Sequence, residues 1–240
     1  MTRLGMVIDT FRCIGCHTCA MACKLENNLP NNNWWNRVLT VGGEDMDTPG
    51  GIYPNLSKKY FTLGCQHCTN PACTRVCPVG ATYKREEDGV VFQDYDKCIG
   101  CRMCMAACPY TGVRNFNWEE PQYYVGIQTG SGGAPTHKKH TVEKCTLCAH
   151  RLARGEEPAC CQDSICPGRA RYFGDFDDPS SKVSQLLARY GGEQLLSDMQ
   201  TEPNIYYIDS RGAGKDLSIA NAYKEALNKT AGSEAVVASH

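Results

Sequence analysis

The stretch Cys98–Pro109 reads CIGCRMCMAACP, with thiols at Cys98, Cys101, Cys104 and Cys108 and a proline directly after the last. Two residues between successive cysteines let one tight turn aim three sulfurs at a common point. The fourth sulfur, on the helical turn that follows, points elsewhere. The proline stops that turn, because it has no N–H to donate and its ring clashes with the turn before it. Three thiols on one centre and a fourth directed away require a complementary run, and the chain has three candidates. They are CIGCHTCAMAC (Cys13, Cys16, Cys19, Cys23), CQHCTNPACTRVCP (Cys65, Cys68, Cys73, Cys77) and CTLCAHRLARGEEPACCQDSICP (Cys145, Cys148, Cys160 or Cys161, Cys166).

Seventeen cysteines in 240 residues admit three chemistries. A secreted disulfide framework favours an even count and seldom crowds four thiols into so short a run. Structural zinc uses C-x2-C pairs separated by longer loops. Iron–sulfur ligation accounts for the triple spacing and the terminal prolines together. The hydrophobic share is 42%, but it includes the cysteines, so carbon packing is thin for this length and ligation is expected to hold the middle. A net charge of −1 gives no general affinity for nucleic acid. Met1–Asp9 has no basic-then-apolar leader and no twin-arginine pair. No apolar run reaches 18 residues, so no membrane span is expected.

Local patterning places the blocks. Arg3–Asp9 reads as a buried strand leading into the first block, and Ala20–Leu25 as a helical turn within it. Asn27–Asn36 is polar with Trp34 and Trp35 embedded, which suits a packed flap. Arg37–Val41 is strand-like, and Gly42–Pro54, rich in Gly, Asp and Pro, reads as a loop. Ala81–Arg85, the turn Glu87–Gly89, and Val90–Asp94 form a hairpin between the second and third blocks. Gly112–Glu143 holds the Gly-rich GIQTGSGGAPTHKKH; it lacks the Gly-Lys-Ser/Thr ending of a phosphate loop and reads as a surface insertion. HRLARGEE, within Ala149–Ala159, predicts a short helix. Arg171–Phe176 is strand-like. Asp178 and Pro179 suit a helix cap and first position, with a stripe of Val183, Leu186, Leu187 and Tyr190. Pro203–Asp209 is a last strand, Ala213–Ala231 a weak amphipathic helix, and the last ten residues a disordered end.

The expected fold is α+β: two nested ferredoxin-like two-cluster units with loop insertions and a C-terminal extension. Blocks one and four make the outer unit (residues 1–60 and 140–180), and blocks two and three the inner unit (61–111). An insertion covers 112–139; helix, strand and tail cover 181–240. Cross-ligation then predicts four 4Fe–4S clusters. Cluster 1 takes Cys13, Cys16, Cys19 and Cys166. Cluster 2 takes Cys23, Cys145, Cys148 and Cys160, with Cys161 the alternative to Cys160. Cluster 3 takes Cys65, Cys68, Cys73 and Cys108, and cluster 4 takes Cys77, Cys98, Cys101 and Cys104. Arg12, Lys24, Arg75, Lys97, Arg102 and Lys144 lie within one or two residues of these thiols, where a cation either favours the reduced, more negative cluster or belongs to a solvated rim. His17 and His67 read as packing residues beside a full thiolate set.

The nested blocks, the C-x2-C-x11-C of block four and the tail TEPNIYYID together resemble the iron–sulfur subunits of the dimethyl sulfoxide reductase family of molybdenum enzymes, over roughly residues 3–210. RLGMVID, CIGCHTC, ACKLENN and SKVSQLL are similar to respiratory arsenate reductase small subunits. WWNRVLTVGG and KREEDGV resemble subunits that accompany anaerobic reductases and catechol dehydroxylases of gut bacteria. In the nitrate reductase branch a Trp replaces the second cysteine of block three, where this chain keeps Cys101. Between Cys160 and Cys166 the chain has five residues, including Asp163 and Ser164, where relatives usually have three.

The resemblance implies a subunit that is not catalytic on its own. It would relay electrons between a membrane quinol-oxidising protein or other donor and a large subunit carrying a bis-pyranopterin molybdenum or tungsten cofactor. It also implies a peripheral position on the extracytoplasmic face, by co-export with a twin-arginine partner, with the cytoplasm the alternative. Two other readings compete: an enzyme acting through a cluster with an open iron site, for which the full ligand count leaves no room, and a free-standing polyferredoxin carrier.

Overall fold

In the computed structural model, which describes residues 2–43, 45–123, 128–212 and 223, the expected first strand forms as β1 (Leu4–Asp9) and lies inside a four-stranded sheet. The chain continues through α1 (Thr18–Glu26), β2 (Asn36–Val41), β3 (Gly50–Ile52), β4 (Asn55–Ser57) and β5 (Lys59–Gly64). Then follow α2 (Ala72–Arg75), β6 (Thr82–Lys84), β7 (Val91–Gln93), α3 (Met103–Ala106), β8 (Arg114–Phe116), β9 (Val142–Lys144) and α4 (Ala149–Leu152). It ends with β10 (Arg171–Asp175), α5 (Lys182–Tyr190), β11 (Glu193–Gln194) and β12 (Ile205–Ile208).

The large sheet has the order β10-β1-β12-β11; β1 runs antiparallel to β10 and parallel to β12. Side chains alternate faces along a strand. Val7 therefore packs with Ile208 and Val183 on one face, while Met6 and Ile8 face the cysteine-bearing core on the other. Burial on both faces explains why β1 reads as a continuous apolar run. The stripe Val183, Leu186, Leu187 and Tyr190 of α5 covers the first face. Gly191, at φ 71°, closes the helix with its N–H on the Leu187 carbonyl, the left-handed stop that glycine allows without a Cβ penalty.

The structure departs from the sequence reading at several elements. α5 begins at Lys182 after Ser181, not at Asp178; the Asp178 carboxylate instead accepts the Ser180 N–H (2.8 Å) and hydroxyl, a local turn that competes with helix. Gly42–Pro54 contains β3, paired with β4 in a small hairpin. β5 had no counterpart in the sequence reading; it pairs along its length with β2 and contains the expected unit boundary at residue 60. The insertion expected over 112–139 opens with β8, whose partner β9 closes it. The helix expected over HRLARGEE is a single turn, α4. The helix expected over Ala213–Ala231 and the expected disordered end lie outside the described residues, apart from Tyr223. That residue is buried, and its hydroxyl accepts the Thr111 N–H at 2.7 Å.

Candidate metal centres

All seventeen cysteines are free thiols, and the cysteine loops share a backbone device. In blocks one and three the glycine and the residue two further on are left-handed: Gly15 and His17, Gly100 and Arg102. His67, Leu147 and Cys148 are left-handed in the other two blocks. At Gly100 a Cβ would sit 2.4 Å from the His140 carbonyl oxygen, so that glycine is required by the close approach as well as by its φ. Such turns aim backbone N–H groups at sulfur. Leu147 N–H donates to Cys145 (3.4 Å), Thr82 N–H to Cys77 (3.4 Å) and Ala170 N–H to Cys166 (3.3 Å).

Tertiary packing gathers the thiols into groups. Cys13, Cys16, Cys19 and Cys166 line one recess beneath β1 and β10. Cys23, Cys145, Cys148 and Cys160 line a second, which Trp35 and Cys65 also border. The Asn27 side-chain amide, just past α1, points at both Cys23 (3.7 Å) and Cys148 (3.8 Å). Cys65, Cys68, Cys73 and Cys108 act on one another electrostatically, and Cys104 is acted on by Cys73 and by Cys98. Among the described residues no three His, Cys, Asp or Glu side chains converge closely enough for a single metal ion. A four-iron cube spreads its ligands around a larger body, and rings of thiols about recesses suit that donor set.

Cys160 faces the second recess, whereas the Cys161 sulfur lies 3.6 Å from Met6 Sδ in the core. The Cys160 thiol is held down to about 6, first by the hydrogen bond from Cys161 and then, against burial, by Arg171, whose Nη2 is 3.5 Å away. Burial pushes Cys65 up, but His67, Lys144 and Arg114 pull it down to about 5. Cys108 rises to about 12, chiefly by burial and then by the charge of Cys65. Cys19, Cys104 and Cys145, near the same buried cations, are pushed up by burial.

Those cations are mostly not the ones adjacent to cysteines in sequence. Arg12 donates to the Gly168 carbonyl, Lys97 pairs with Asp94 (3.2 Å), and Arg102 lies over the Phe116 and Trp118 rings, all toward the surface. Arg75 binds the Asn70 side chain on the exposed rim. Lys24 is buried but turns its ammonium to the Pro30 (2.7 Å) and Asn31 (2.8 Å) carbonyls. Lys144 reaches the interior, together with Arg114 and Arg171, which sequence reasoning missed. Their signal was present: each opens a strand shortly after a Cys-Pro, in CPYTGVR and CPGRAR. Trp35 is buried as expected of a packed flap, with its ring 6.0 Å from that of His137. His67 is fully buried, as expected of a packing residue.

Known proteins share this chemistry. A family described as a 4Fe-4S dicluster domain matches residues 56–123 and 134–176, and a second of the same description matches 97–150. Over 215 residues the chain is 50% identical to a Halobacterium salinarum protein provisionally named as a dimethyl sulfoxide reductase iron-sulfur subunit; the match covers 87% of this chain and 80% of the relative. It is 40% identical to a selenate reductase subunit of Mesobacillus selenatarsenatis, covering 85% of this chain and 70% of the relative. The arsenate respiratory reductase iron-sulfur subunit of a Shewanella species is 38% identical, with 88% and 97% covered. The chain belongs to the iron–sulfur subunits of the dimethyl sulfoxide reductase family. As such an iron–sulfur subunit it relays electrons through 4Fe–4S clusters for a molybdopterin-bearing catalytic partner and is not itself the catalyst. Among its described residues no helix is long and apolar enough to cross a membrane.

Proposed function

We propose that this iron–sulfur subunit passes electrons singly along four clusters in a row, with the ligand sets expected from cross-ligation. Cys13, Cys16, Cys19 and Cys166 hold cluster 1; Cys23, Cys145, Cys148 and Cys160 hold cluster 2. Cys65, Cys68, Cys73 and Cys108 hold cluster 3; Cys77, Cys98, Cys101 and Cys104 hold cluster 4. Each bound cluster takes up and releases one electron. The protein keeps water from the middle of the row and sets the order of the carriers.

The observation that carries this reading is the placement of the thiols. Cys65 borders the same recess as Cys145, Cys148 and Cys160, so clusters 2 and 3 are neighbours. Each of the other adjacent pairs shares a cysteine block. The ends of the row reach the surface: Cys16 and Cys101 are exposed, beside Ile14 at 60% and Ile99 at 62% exposure. Buried middle carriers and exposed end carriers are what a relay between two docked partners requires. One end serves the catalytic subunit; the other serves a quinol-oxidising membrane protein or another donor. The assembly sits peripherally on the extracytoplasmic face, carried there with a twin-arginine partner. The two nested units, 1–60 with 140–180 around 61–111, describe the ligation rather than separately packed bodies.

Anaerobic purification with elemental analysis tests the reading. About 16 iron atoms and as many sulfides per chain are expected from four cubanes, together with co-purification of a molybdenum protein. About 12 iron atoms or fewer in intact chain would remove one cluster from the row. A Cys160→Ser chain with unchanged iron and spectrum would transfer the ligand role to Cys161.

A further inference from the structure

The ligand sets leave three buried cations without a stated purpose. Lys144 is wholly buried, and Arg114 and Arg171 are 5% and 7% exposed. Among the described residues none of the three has a carboxylate partner. Arg114 donates to the Gln93 side-chain carbonyl at 3.4 Å and leaves its second terminal nitrogen unpartnered. The Lys144 ammonium donates to the carbonyls of Val91 and Cys145. Arg171 contacts Thr62, Asn36 and Met6 and leaves its Nε unpartnered. Moreover, Arg114 and Lys144 stand directly opposite each other across β8 and β9. Like charges at that position repel, and a buried charge without a counter-charge is strongly unfavourable. The arrangement is stable only if anions lie on either side.

The cysteine groups lie there. Arg171 borders both outer recesses, next to Cys19 in one and Cys160 in the other. Lys144 reaches the carbonyl of Cys145, a member of the second set, and acts on Cys65 and Cys73, both of the third. Arg114 donates to the Gln93 carbonyl that also takes the Thr82 hydroxyl, and the Thr82 N–H donates to Cys77 of the fourth set. Arg114 acts as well on Cys73, Cys65 and Cys108 of the third set and on Cys104 of the fourth. Each cation therefore stands at one junction of the row: Arg171 between clusters 1 and 2, Lys144 between 2 and 3, Arg114 between 3 and 4.

We propose that Arg171, Lys144 and Arg114 are the shared counterions of the relay, one at each junction, and that each raises the reduction potential of the two clusters it separates. The inference rests on the ligand sets proposed above. A cluster with its four thiolates is an anion that gains one further negative charge on reduction, so a fixed cation beside it favours the reduced form. Sharing that cation between two clusters also weakens the repulsion of an electron on one by an electron on the next. All three are positioning residues: they act on the ligand shell through their charge and transfer no electron themselves.

The test is an anaerobic redox titration of the intact complex followed by electron paramagnetic resonance, with Cys16→Ser and Cys101→Ser chains marking which signals belong to the end clusters. Arg171→Gln is expected to lower the midpoints of clusters 1 and 2 and leave 3 and 4 in place. Arg114→Gln does the converse, and Lys144→Gln lowers 2 and 3. The expected size is at least about tenfold in the reduced-to-oxidised ratio at fixed potential, or about 59 mV for a one-electron couple. Arg171→Lys and Arg114→Lys keep the charge and most of the midpoint. Unmoved midpoints with full iron, or an equal shift of all four clusters, overturn the proposal. Where a Gln chain loses iron, the Lys chain decides. Iron and midpoints retained with Lys support the counterion role; iron lost with Lys as well overturns it in favour of a guanidinium scaffold. Failure of the ligand sets is read separately, as iron lost from the wrong cluster in the Cys→Ser chains.

Discussion

The two halves of the molecule are stabilised by different means. On the sheet side, β1, β10 and β12 pack Val7, Ile208 and Val183 beneath α5, with Tyr172, Phe176, Leu186 and Leu187 around them. On the hairpin side, formed by β6–β7 and β8–β9, the apolar cluster consists of Cys73, Cys104, Val91 and Val142, with Cys98, Met105 and Phe116 against it. One half has a carbon core; in the other the thiols are much of the core. Isolated two-stranded hairpins are marginal in water, so on the hairpin side ligation and folding are one event. The outer face of the sheet rests on apolar packing, while its inner face and the hairpins rest against the thiols.

The largest effect should follow removal of iron. With a chelator and reductant under anaerobic conditions, amide exchange in β6–β9 is expected to collapse to near-unprotected rates while β1, β10 and β12 keep most of their protection. Equal loss in both halves would erase the contrast. Next in size, Ile208→Ala on the sheet side should lower stability by about 2–4 kcal/mol, as for other buried aliphatic truncations. It should leave iron content and cluster spectrum intact, measured by denaturant unfolding alongside absorbance.

The seam between the halves carries a smaller, pH-dependent effect. His137 Nδ1 meets Glu143 on β9 at 2.7 Å and its Nε2 faces the Asn27 carbonyl at 2.9 Å, both buried. Burial lowers the His137 pKa, but the hydrogen bond and charge of Glu143 outweigh it and the net shift is upward from 6.5. A raised folded-state pKa contributes stability that is complete below 6.5 and is lost as pH rises through the folded value. His137→Gln should abolish that part of the pH slope, read from unfolding midpoints between pH 5 and 9. An unchanged slope would place the pH dependence elsewhere. The smallest effect belongs to the exposed end of the row, where Arg102 lies 4.7 Å over the Trp118 ring. Trp118→Ala should cost about 0.5–1 kcal/mol by the same unfolding measurement.

Much of this is legible in the sequence. The β1 run, the α5 stripe, the β6–β7 hairpin and the β12 strand all follow from short-range periodicity, and each packs as its apolar spacing indicates. β5 escaped notice because KYFTLG alternates weakly, with a glycine at its end, and it is strand only through its pairing with β2. Likewise the Gly-rich stretch after Gly112 concealed β8, a three-residue strand too short to carry a period. Asp178 reads as a helix cap in sequence, yet its carboxylate closes a turn four residues before α5 starts.

The chemistry of this protein is written in its local sequence. Cysteines three and four residues apart are held together by the local backbone, so blocks one and three and the iron–sulfur donor set needed no long-range information. Local sequence does not distinguish the two adjacent thiols; in the folded chain Cys160 lines a recess and Cys161 lies against Met6. Folding also puts Arg114 and Arg171, remote in sequence from most of the thiols they serve, in the interior while Arg12, Lys97 and Arg102 remain at the surface. The cause is range. Ligand spacing is a property of a few consecutive bonds, whereas a buried charge answers to whatever the fold brings within its field.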